Sequence, residues 1–338
     1  MDTATLIQKY YIWVIFFVGF PGNLASLATI IRMKPVTSLT CYVALLAIVD
    51  NTTLVIKLTH LLLQDYNLKI MSNFECKILT FLGNVFLNYA SWIIVAMSIE
   101  RFVAVWFPLK LGINWTIKRS FLSMGILFLF LSGVYIHLLW TITSYYGSCE
   151  IGEVYHNYFI TKIWYWISAC LYAIFPCIIL FVFNFLIIIG IRKSADEHKT
   201  LTLSPSTATP HRDVTIMLIV VSVVFLILTA PICIFLLLGQ TWLPHRYSDE
   251  FAQKVLCQQI AYVLCDTNHA VNVFLYFLSA RRFRRHFNEI YRCSHSSSPD
   301  TVLLRNRTYR YTNKLQCPSS HIDEDTESVS ALRHQSSH

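Results

Sequence analysis

The sequence predicts an all-α membrane protein, a bundle of seven transmembrane helices followed by a short amphipathic helix on the cytoplasmic side. Composition gives the first indication: of the 338 residues, 55% are hydrophobic and 14% are charged, whereas about 25% of residues are charged in a soluble domain. The arrangement gives the second indication. The hydrophobic residues gather in seven windows of about 20 residues or more, the length that a helix needs to cross a bilayer.

Polar, charged or turn-forming residues separate the seven predicted spans. About ten residues precede the first span, and because they lack a basic region and a cleavage site of small residues, we expect this span to act as its own signal anchor. The predicted parts are an extracellular N-terminus (1–10), a transmembrane domain (11–278), an amphipathic helix (279–293) and a disordered tail (294–338). The spans are 11–31, 40–63, 78–102, 120–143, 160–191, 214–238 and 255–278.

Basic residues set the predicted orientation. Lysines and arginines lie in the first, third and fifth connections and directly after the seventh span, whereas the other connections mix acidic and basic residues. Positively charged connections stay in the cytoplasm, so we place the N-terminus outside the cell and the protein in the plasma membrane.

The net charge of +8 then reflects the excess of basic residues on the cytoplasmic side and their contact with anionic membrane lipid. We therefore expect no nucleic-acid partner.

Most of the ten cysteines lie within the spans, where cysteine behaves as a small hydrophobic residue. Cys76, at the head of the third span, and Cys149, after the fourth, both lie on the oxidising outer side in this topology. We therefore predict a disulfide between them. Such a bond would hold the connection that contains Cys149 over the mouth of the bundle.

The segment SARRFRRHFNEIYRC follows the seventh span. Phe283, Phe287 and Ile290 recur in it at helical spacing between arginines, which predicts a basic amphipathic helix on the membrane surface. Cys293 at its end is a candidate for palmitoylation. The residues from Ser294 onward are mostly polar, which is typical of a disordered tail, and serines and threonines beside acids there are candidate phosphorylation sites.

Several polar residues lie inside the predicted spans. Asp50 and Lys57 are two helical turns apart and His60 follows one turn later, so that the three share one face of the second span. The seventh span contains Asp266, Asn268 and Asn272. Such groups avoid lipid, and each is a functional hypothesis with a buried structural pair as the alternative.

A series of short motifs lies on successive spans. They are Gly22-Asn23, Asp50, Cys76, Glu100-Arg101-Phe102, Pro176, Phe225 with Pro231, and the NVFLY run from Asn272 to Tyr276. In order and spacing they resemble the motifs of the rhodopsin-like (class A) G-protein-coupled receptors, in the branch of peptide and orphan receptors. The resemblance covers about residues 10–293.

The resemblance implies a receptor that binds an extracellular ligand and activates heterotrimeric G proteins. In this family the arginine that corresponds to Arg101 is restrained by its acidic neighbour at rest and is exposed to the G protein on activation. A receptor kinase and arrestin are further implied partners. The residues that the resemblance places in coupling and switching are Glu100, Arg101, Phe102, Asn184, Phe225, Pro231, Asn272 and Tyr276.

Several positions depart from the family pattern. Thr229 stands where a ligand-sensing tryptophan is typical, Val273 where a proline is typical, and Asn184 where a tyrosine is commoner. Because the proline ring is missing and the N–H is retained, we expect a straighter seventh helix. These departures leave open a ligand-independent or non-signalling receptor-like protein.

Two positions narrow the ligand class. Gly83 stands where amine receptors have an aspartate, and Asp266 stands where retinal proteins have a lysine, so the resemblance argues against both. We expect a peptide ligand, with a small-molecule chemosensory receptor as the alternative, and Lys57 and Asp266 either form a structural pair or bind the ligand. The residues expected at the ligand are Lys57, His60, Asn84, Leu87, Tyr165, Ser168, Tyr172, Tyr262 and Asp266.

The resemblance also suggests one allosteric ion and no other cofactor. Asp50, Asn268 and Asn272 are the expected sodium ligands, although Ala90 stands where a serine often completes the site.

The sequence lacks the signatures of other classes of membrane protein. There is neither a GxSxG motif nor a histidine cluster to indicate an enzyme, and an odd number of spans with ten glycines argues against a repeat-built transporter. A channel would need a polar stripe along a whole span, which we do not find.

Overall fold

The structure, a computed structural model, describes residues 2–64, 71–107, 117–145, 148–152, 158–200, 210–239, 241–245 and 248–292. Seven long helices fill most of this described part, which confirms the predicted fold class. They are α1 (Asp2–Arg32), α2 (Ser38–Gln64), α3 (Asn73–Trp106), α4 (Ile117–Tyr135), α5 (159–200), α6 (Pro210–Leu238) and α7 (Asp249–Ser279), with the shorter α8 (Arg281–Arg292) after them. Helix α5 joins two π-helical stretches, Phe159–Trp164 and Cys170–Ile174, to the α-helical stretches Tyr165–Ala169 and Phe175–Thr200.

Helix α7 differs from the other long helices in polarity. In the described part of the chain, α1 to α6 are both long and apolar enough to cross a membrane. Helix α7 has the length, with 31 residues, but carries Asp266, Asn268, His269 and Asn272, all of which are buried. Its polar groups therefore face the other helices, and the bundle rather than lipid must satisfy them.

Helices α3 and α7 organise the packing of the bundle. Helix α3 contacts α2, α4, α5 and α6, while α7 contacts α1, α2 and α6. Small residues bring α1 and α7 close together: a Cβ atom added at Gly19 would lie 2.8 Å from Ala270 Cβ, and one added at Gly22 would lie 2.7 Å from Val273 Cγ1. Close backbone approach of this kind is a common means of helix association in membranes.

Two helices have ends that differ from those of the predicted spans. Helix α1 begins at Asp2, so residues that we assigned to a separate N-terminal segment extend the first helix. Helix α4 ends at Tyr135, and after a one-turn helix, Leu138–Thr141, the chain forms strand β1 (Ile142–Tyr145) rather than continuing the fourth helix. The strand forms because it pairs antiparallel with β2 (Ser148–Ile151).

The β-hairpin is attached to the start of α3. Asn73 Oδ1 accepts hydrogen bonds from Thr143 Oγ1 and from the Ser144 backbone N–H, each at 3.1 Å. The disulfide joins Cys76 to Cys149, with their Cα atoms 5.7 Å apart. We refer to this end of the bundle as the disulfide end, and to the end at the foot of α3 as the Arg101 end.

Helix α8 packs against the Arg101 end through its apolar stripe. Phe283 is buried beside Tyr276, with ring centroids 5.8 Å apart, and Phe287 packs edge-to-face with Phe277, with centroids 5.3 Å apart. Arg284 donates to the carbonyl oxygens of Phe277 and Leu278 at the end of α7. Part of the stripe that we expected to face the membrane surface therefore contacts the bundle. Cys293 and the predicted tail (294–338) lie outside the described residues.

We expect Gly19→Ala to destabilise the protein, because the added methyl would overlap the Cα and Cβ atoms of Ala270 on α7. Overpacking of this kind costs about 1–3 kcal/mol, or roughly 2–6 °C in the unfolding midpoint. Gly125→Ala on α4 is the matched control, since a Cβ there meets no atom within 4 Å. Thermal unfolding of the purified variants checks the prediction, and equal midpoints for the two variants would contradict it.

Candidate functional site

A buried ion pair links three helices through what we call the Lys57 cluster, formed by Tyr11, Lys57 and Asp266. Lys57 Nζ on α2 lies 2.5 Å from Asp266 Oδ1 on α7. The hydroxyl of Tyr11 on α1 donates to Asp266 Oδ2 at 3.0 Å. Both carboxylate oxygens thus accept a hydrogen bond, as a buried charge requires.

The two charges of this pair differ in exposure. The Asp266 side chain is 2% exposed, whereas the Lys57 side chain is 25% exposed. The Lys57 ammonium is therefore the more accessible half of the pair.

A second polar group, the Asp50 cluster, lies farther into the bundle and consists of Asp50, His269 and Asn272. His269 Nδ1 donates to Asp50 Oδ1 and Asn272 Nδ2 donates to Asp50 Oδ2, each at 2.7 Å. Asn23 on α1 donates to the backbone oxygen of His269 at 2.9 Å, which ties the same stretch of α7 to a third helix. All four of these residues are buried.

His269 is a site residue that the sequence analysis missed. It lies three residues after Asp266 and three before Asn272, so that all three side chains project from one face of α7. This periodicity was a usable signal. A histidine in a row of polar residues nevertheless does not reveal its partner, which here lies 219 residues away in the sequence.

The Asp50 cluster does not fit the sodium ion that the resemblance suggested. Both oxygens of Asp50 already accept from N–H groups, and Asn268 donates to Thr229 Oγ1 at 3.1 Å rather than to Asp50. Ala90, on the wall of the same cavity, has no side-chain oxygen to offer a hard cation. In the described residues, no group of three or more acidic, histidine or cysteine side chains is arranged to hold a metal ion.

A narrow internal cavity adjoins the Asp50 cluster. Several predicted residues line it, from four different helices, and they bring the ligand and switch predictions together in one place: Leu87 on α3, Tyr172 on α5, Phe225 on α6, and Asn268 and Asn272 on α7. The cavity thus lies among the helices that a conformational switch would have to move.

The other predicted ligand residues mostly make contacts within the bundle. The Tyr165 hydroxyl donates to the backbone oxygen of Leu236 on α6 at 2.8 Å, and the Tyr172 hydroxyl lies 2.8 Å from Cys265 Sγ on α7. Asn84 donates to the backbone of its own helix, at Thr80. Tyr262 packs with Tyr172 and Cys265, while His60 and Ser168 are half-buried. The two tyrosines of α5 therefore join helices in this conformation.

At the Arg101 end the predicted switch motif is buried. Arg101 Nη2 lies 3.6 Å from Glu100 Oε1, and both side chains are almost fully excluded from solvent. Pro231 lies within α6, and Phe102 packs edge-on against Phe183 of α5, with ring centroids 5.1 Å apart.

Three of the predicted switch residues have a buried hydrogen-bonding group without a partner. Within the described part of the chain, Arg101 Nε, Asn184 Nδ2 and the Tyr276 hydroxyl are buried without a hydrogen-bond partner. Such groups are rare in folded proteins, because each costs about 1–3 kcal/mol, and they call for a specific explanation. The Arg101 end therefore has unused bonding capacity on α3, α5 and α7.

Comparison with known proteins places these clusters in a family context. Residues 22–276 match the profile of the family described as "7 transmembrane receptor (rhodopsin family)". The chain is 23% identical to the probable G-protein coupled receptor B0563.6 of Caenorhabditis elegans, over 88% of this chain and 72% of that protein. It is also 23% identical to the thyrotropin-releasing hormone receptor of Mus musculus, over 81% of this chain and 76% of that protein. A shorter match, 29% identical, covers 30% of this chain and 28% of the neuropeptide S receptor of Homo sapiens.

We expect Lys57→Met to destabilise the protein more than Asp266→Asn, because the first change strands a buried carboxylate and the second leaves a partly exposed ammonium. Breaking a buried pair in this way costs about 3–5 kcal/mol. The Lys57→Met/Asp266→Asn double variant should lose less stability than the sum of the single variants. Thermal unfolding of the four proteins measures this coupling, and strictly additive losses would show that the pair contributes nothing.

Proposed function

The chain belongs to the rhodopsin family of seven-transmembrane receptors, and from this we propose that it binds an extracellular peptide at the disulfide end and activates a heterotrimeric G protein at the Arg101 end. Members of this family are multi-pass membrane receptors and not enzymes. The proposal places the disulfide end outside the cell and the protein in the plasma membrane. The observation on which it depends most is the Lys57 cluster, a charged contact between three helices with one accessible member.

The Lys57 cluster supports an anionic ligand group. A carboxylate that approaches the exposed face of Lys57 competes with Asp266 for the ammonium. If the ligand carboxylate binds the ammonium instead of Asp266, the ion pair between α2 and α7 is lost. A ligand changes a conformational equilibrium only through different contacts in the two states. The contacts would differ here in the following way: Lys57 binds Asp266 in one state and the ligand in the other.

A peptide is the ligand class that we favour. Peptides present carboxylates at their C-terminus and on acidic side chains. Their extended backbone is also complementary to the β-hairpin at the disulfide end. Two of the similar proteins, the thyrotropin-releasing hormone receptor and the neuropeptide S receptor, have peptide ligands in their names. A small organic anion would satisfy Lys57 equally well, so the ligand screen must include both classes.

The Arg101 end supports coupling to a G protein. Arg101 is buried with an incomplete set of hydrogen bonds, and Asn184 and Tyr276 hold unused donors nearby in the bundle. A rearrangement that opens this end would let these groups gain partners, from each other, from water or from an inserted helix. Unsatisfied groups raise the free energy of the closed state, which makes a two-state switch easier to shift.

We expect a screen of cells that express the receptor and a promiscuous G protein to identify an acidic peptide as agonist. Small carboxylate metabolites form the second arm of the same screen. Lys57→Met should reduce agonist potency by roughly 100-fold or more, because a buried charge contact to the ligand is lost. Lys162→Met, an exposed lysine at the start of α5, is the matched control and should leave potency unchanged at equal surface expression.

The double variant Lys57→Met/Asp266→Asn separates the two roles of Lys57. It removes both partners of the ion pair, so it should recover expression and stability without recovering potency. Full recovery of potency would mean that Lys57 acts only through Asp266 and does not contact the ligand.

We expect Arg101→Ala to abolish G-protein activation, with and without agonist, while surface expression is kept. Arg192→Ala, an exposed arginine on α5, should behave as the wild type. The measurement is nucleotide exchange on a panel of purified G proteins. If Arg101→Ala and the wild type were equally inactive toward every G protein in the presence of agonist, the protein would be a receptor that does not signal through G proteins.

A further inference from the structure

A carboxylate buried as deeply as that of Asp50 needs compensation when it is ionised. Its side chain is 1% exposed and lies within the bundle. An isolated buried carboxylate costs several kcal/mol, so it requires either a bound cation or donor groups from the chain itself. The sodium ion suggested by the resemblance is one answer to this requirement, and the structure contains a different one.

The His269 ring occupies the side of Asp50 that a cation would need. Its Nδ1 lies 2.7 Å from Oδ1, while Asn272 Nδ2 lies 2.7 Å from Oδ2. Each oxygen therefore already accepts a hydrogen bond from the chain itself. A cation would have to displace one of these donors and then recruit several oxygens to replace its water shell.

The backbone of α7 at His269 is held in this position. Asn23 of α1 donates to the backbone oxygen of His269 at 2.9 Å, which fixes this turn of α7 against α1. Gly19 permits the close approach, since Ala270, the next residue of α7, lies against it. The His269 side chain is 6% exposed, so the imidazole is enclosed by the other helices.

The remaining groups around Asp50 do not form an alternative cation site. Among the described residues that line the adjoining cavity, Asp50 is the only carboxylate. Ser91 is turned toward the backbone of its own helix at Leu87, and Asn268 donates to Thr229. These two side chains are therefore held by bonds to groups other than Asp50, and Ala90 offers no side-chain oxygen.

We propose that the imidazole of His269 takes the place of the allosteric sodium ion, so that the buried Asp50 carboxylate is compensated by the chain itself and the receptor does not respond to sodium. It follows that removing the imidazole creates a sodium site. His269→Ser frees Asp50 Oδ1, empties the volume of the ring and adds a hydroxyl oxygen, which together favour a small hard cation.

Thermal unfolding of the full-length receptor in detergent tests this inference and needs neither a ligand nor a G protein. Each protein is measured in sodium chloride and in N-methyl-D-glucamine chloride at the same ionic strength, so that general screening is equal in both. The wild type should unfold at the same temperature in both salts. His269→Ser should gain about 2–4 °C in sodium, the effect of a ligand present at several times its dissociation constant.

Two further variants separate a specific site from a general effect of the substitution. Asp50→Asn/His269→Ser lacks the carboxylate and should lose the sodium response again. His137→Ser replaces a histidine that packs on Trp164, away from the Asp50 cluster, and should show no sodium response. If His269→Ser does not fold, His269→Asn, which also shortens the side chain, takes its place with the same expected response.

Either of two results would overturn the proposal. A sodium-specific rise in the wild type would show that a cation binds despite the imidazole, whether or not the variants fold. A folded His269→Ser or His269→Asn protein without a sodium response would show that the imidazole does not stand in for a cation. Neither result affects the proposed peptide ligand, because this experiment does not measure signalling.

Discussion

Helix α7 can be part of a membrane bundle because its polar side chains find partners on the neighbouring helices. Asp266 is paired with Lys57, and His269 and Asn272 are bonded to Asp50. Lipid offers no substitute for these partners, since an unsatisfied polar group in hydrocarbon costs several kcal/mol. Hydrogen bonds and one ion pair therefore add to the close apolar packing of α1, α2 and α7, whereas the packing of α3 in the centre is mainly apolar.

The same constraint couples the two polar clusters. Asp266, His269 and Asn272 follow one another at intervals of three residues on one helix, and Tyr276 lies four residues farther toward α8. A displacement of α7 that relieves Asp266 also moves the two donors of Asp50. In the proposed function, an exchange of partners near the disulfide end would thereby change contacts deeper in the bundle and supply a two-state element that both ends bias.

The sequence was sufficient to predict features that follow from lipid and from helical periodicity. The seven spans were visible because a bilayer demands long apolar segments, and the disulfide followed from the side of the membrane on which Cys76 and Cys149 lie. The pairing of Lys57 with Asp266 was one of two alternatives. Features that depend on tertiary contacts were not predictable: β1 forms because Asn73 and β2 offer partners to its backbone, and the role of His269 depends on where Asp50 lies in space.

The departures from the family pattern acquire a physical meaning in this setting. Thr229, in place of a tryptophan, accepts a hydrogen bond from Asn268, and Val273, in place of a proline, packs on Gly22. Each substitution adds a contact between α7 and a neighbouring helix, polar in one case and apolar in the other. A proline at position 273 would lack the backbone N–H and would interrupt the helix directly after Asn272. With valine the turn that carries His269 and Asn272 stays continuous, so both donors keep a fixed orientation toward Asp50. A continuous α7 is therefore consistent with a buried carboxylate that is compensated by donors on the helix itself rather than by a mobile ion.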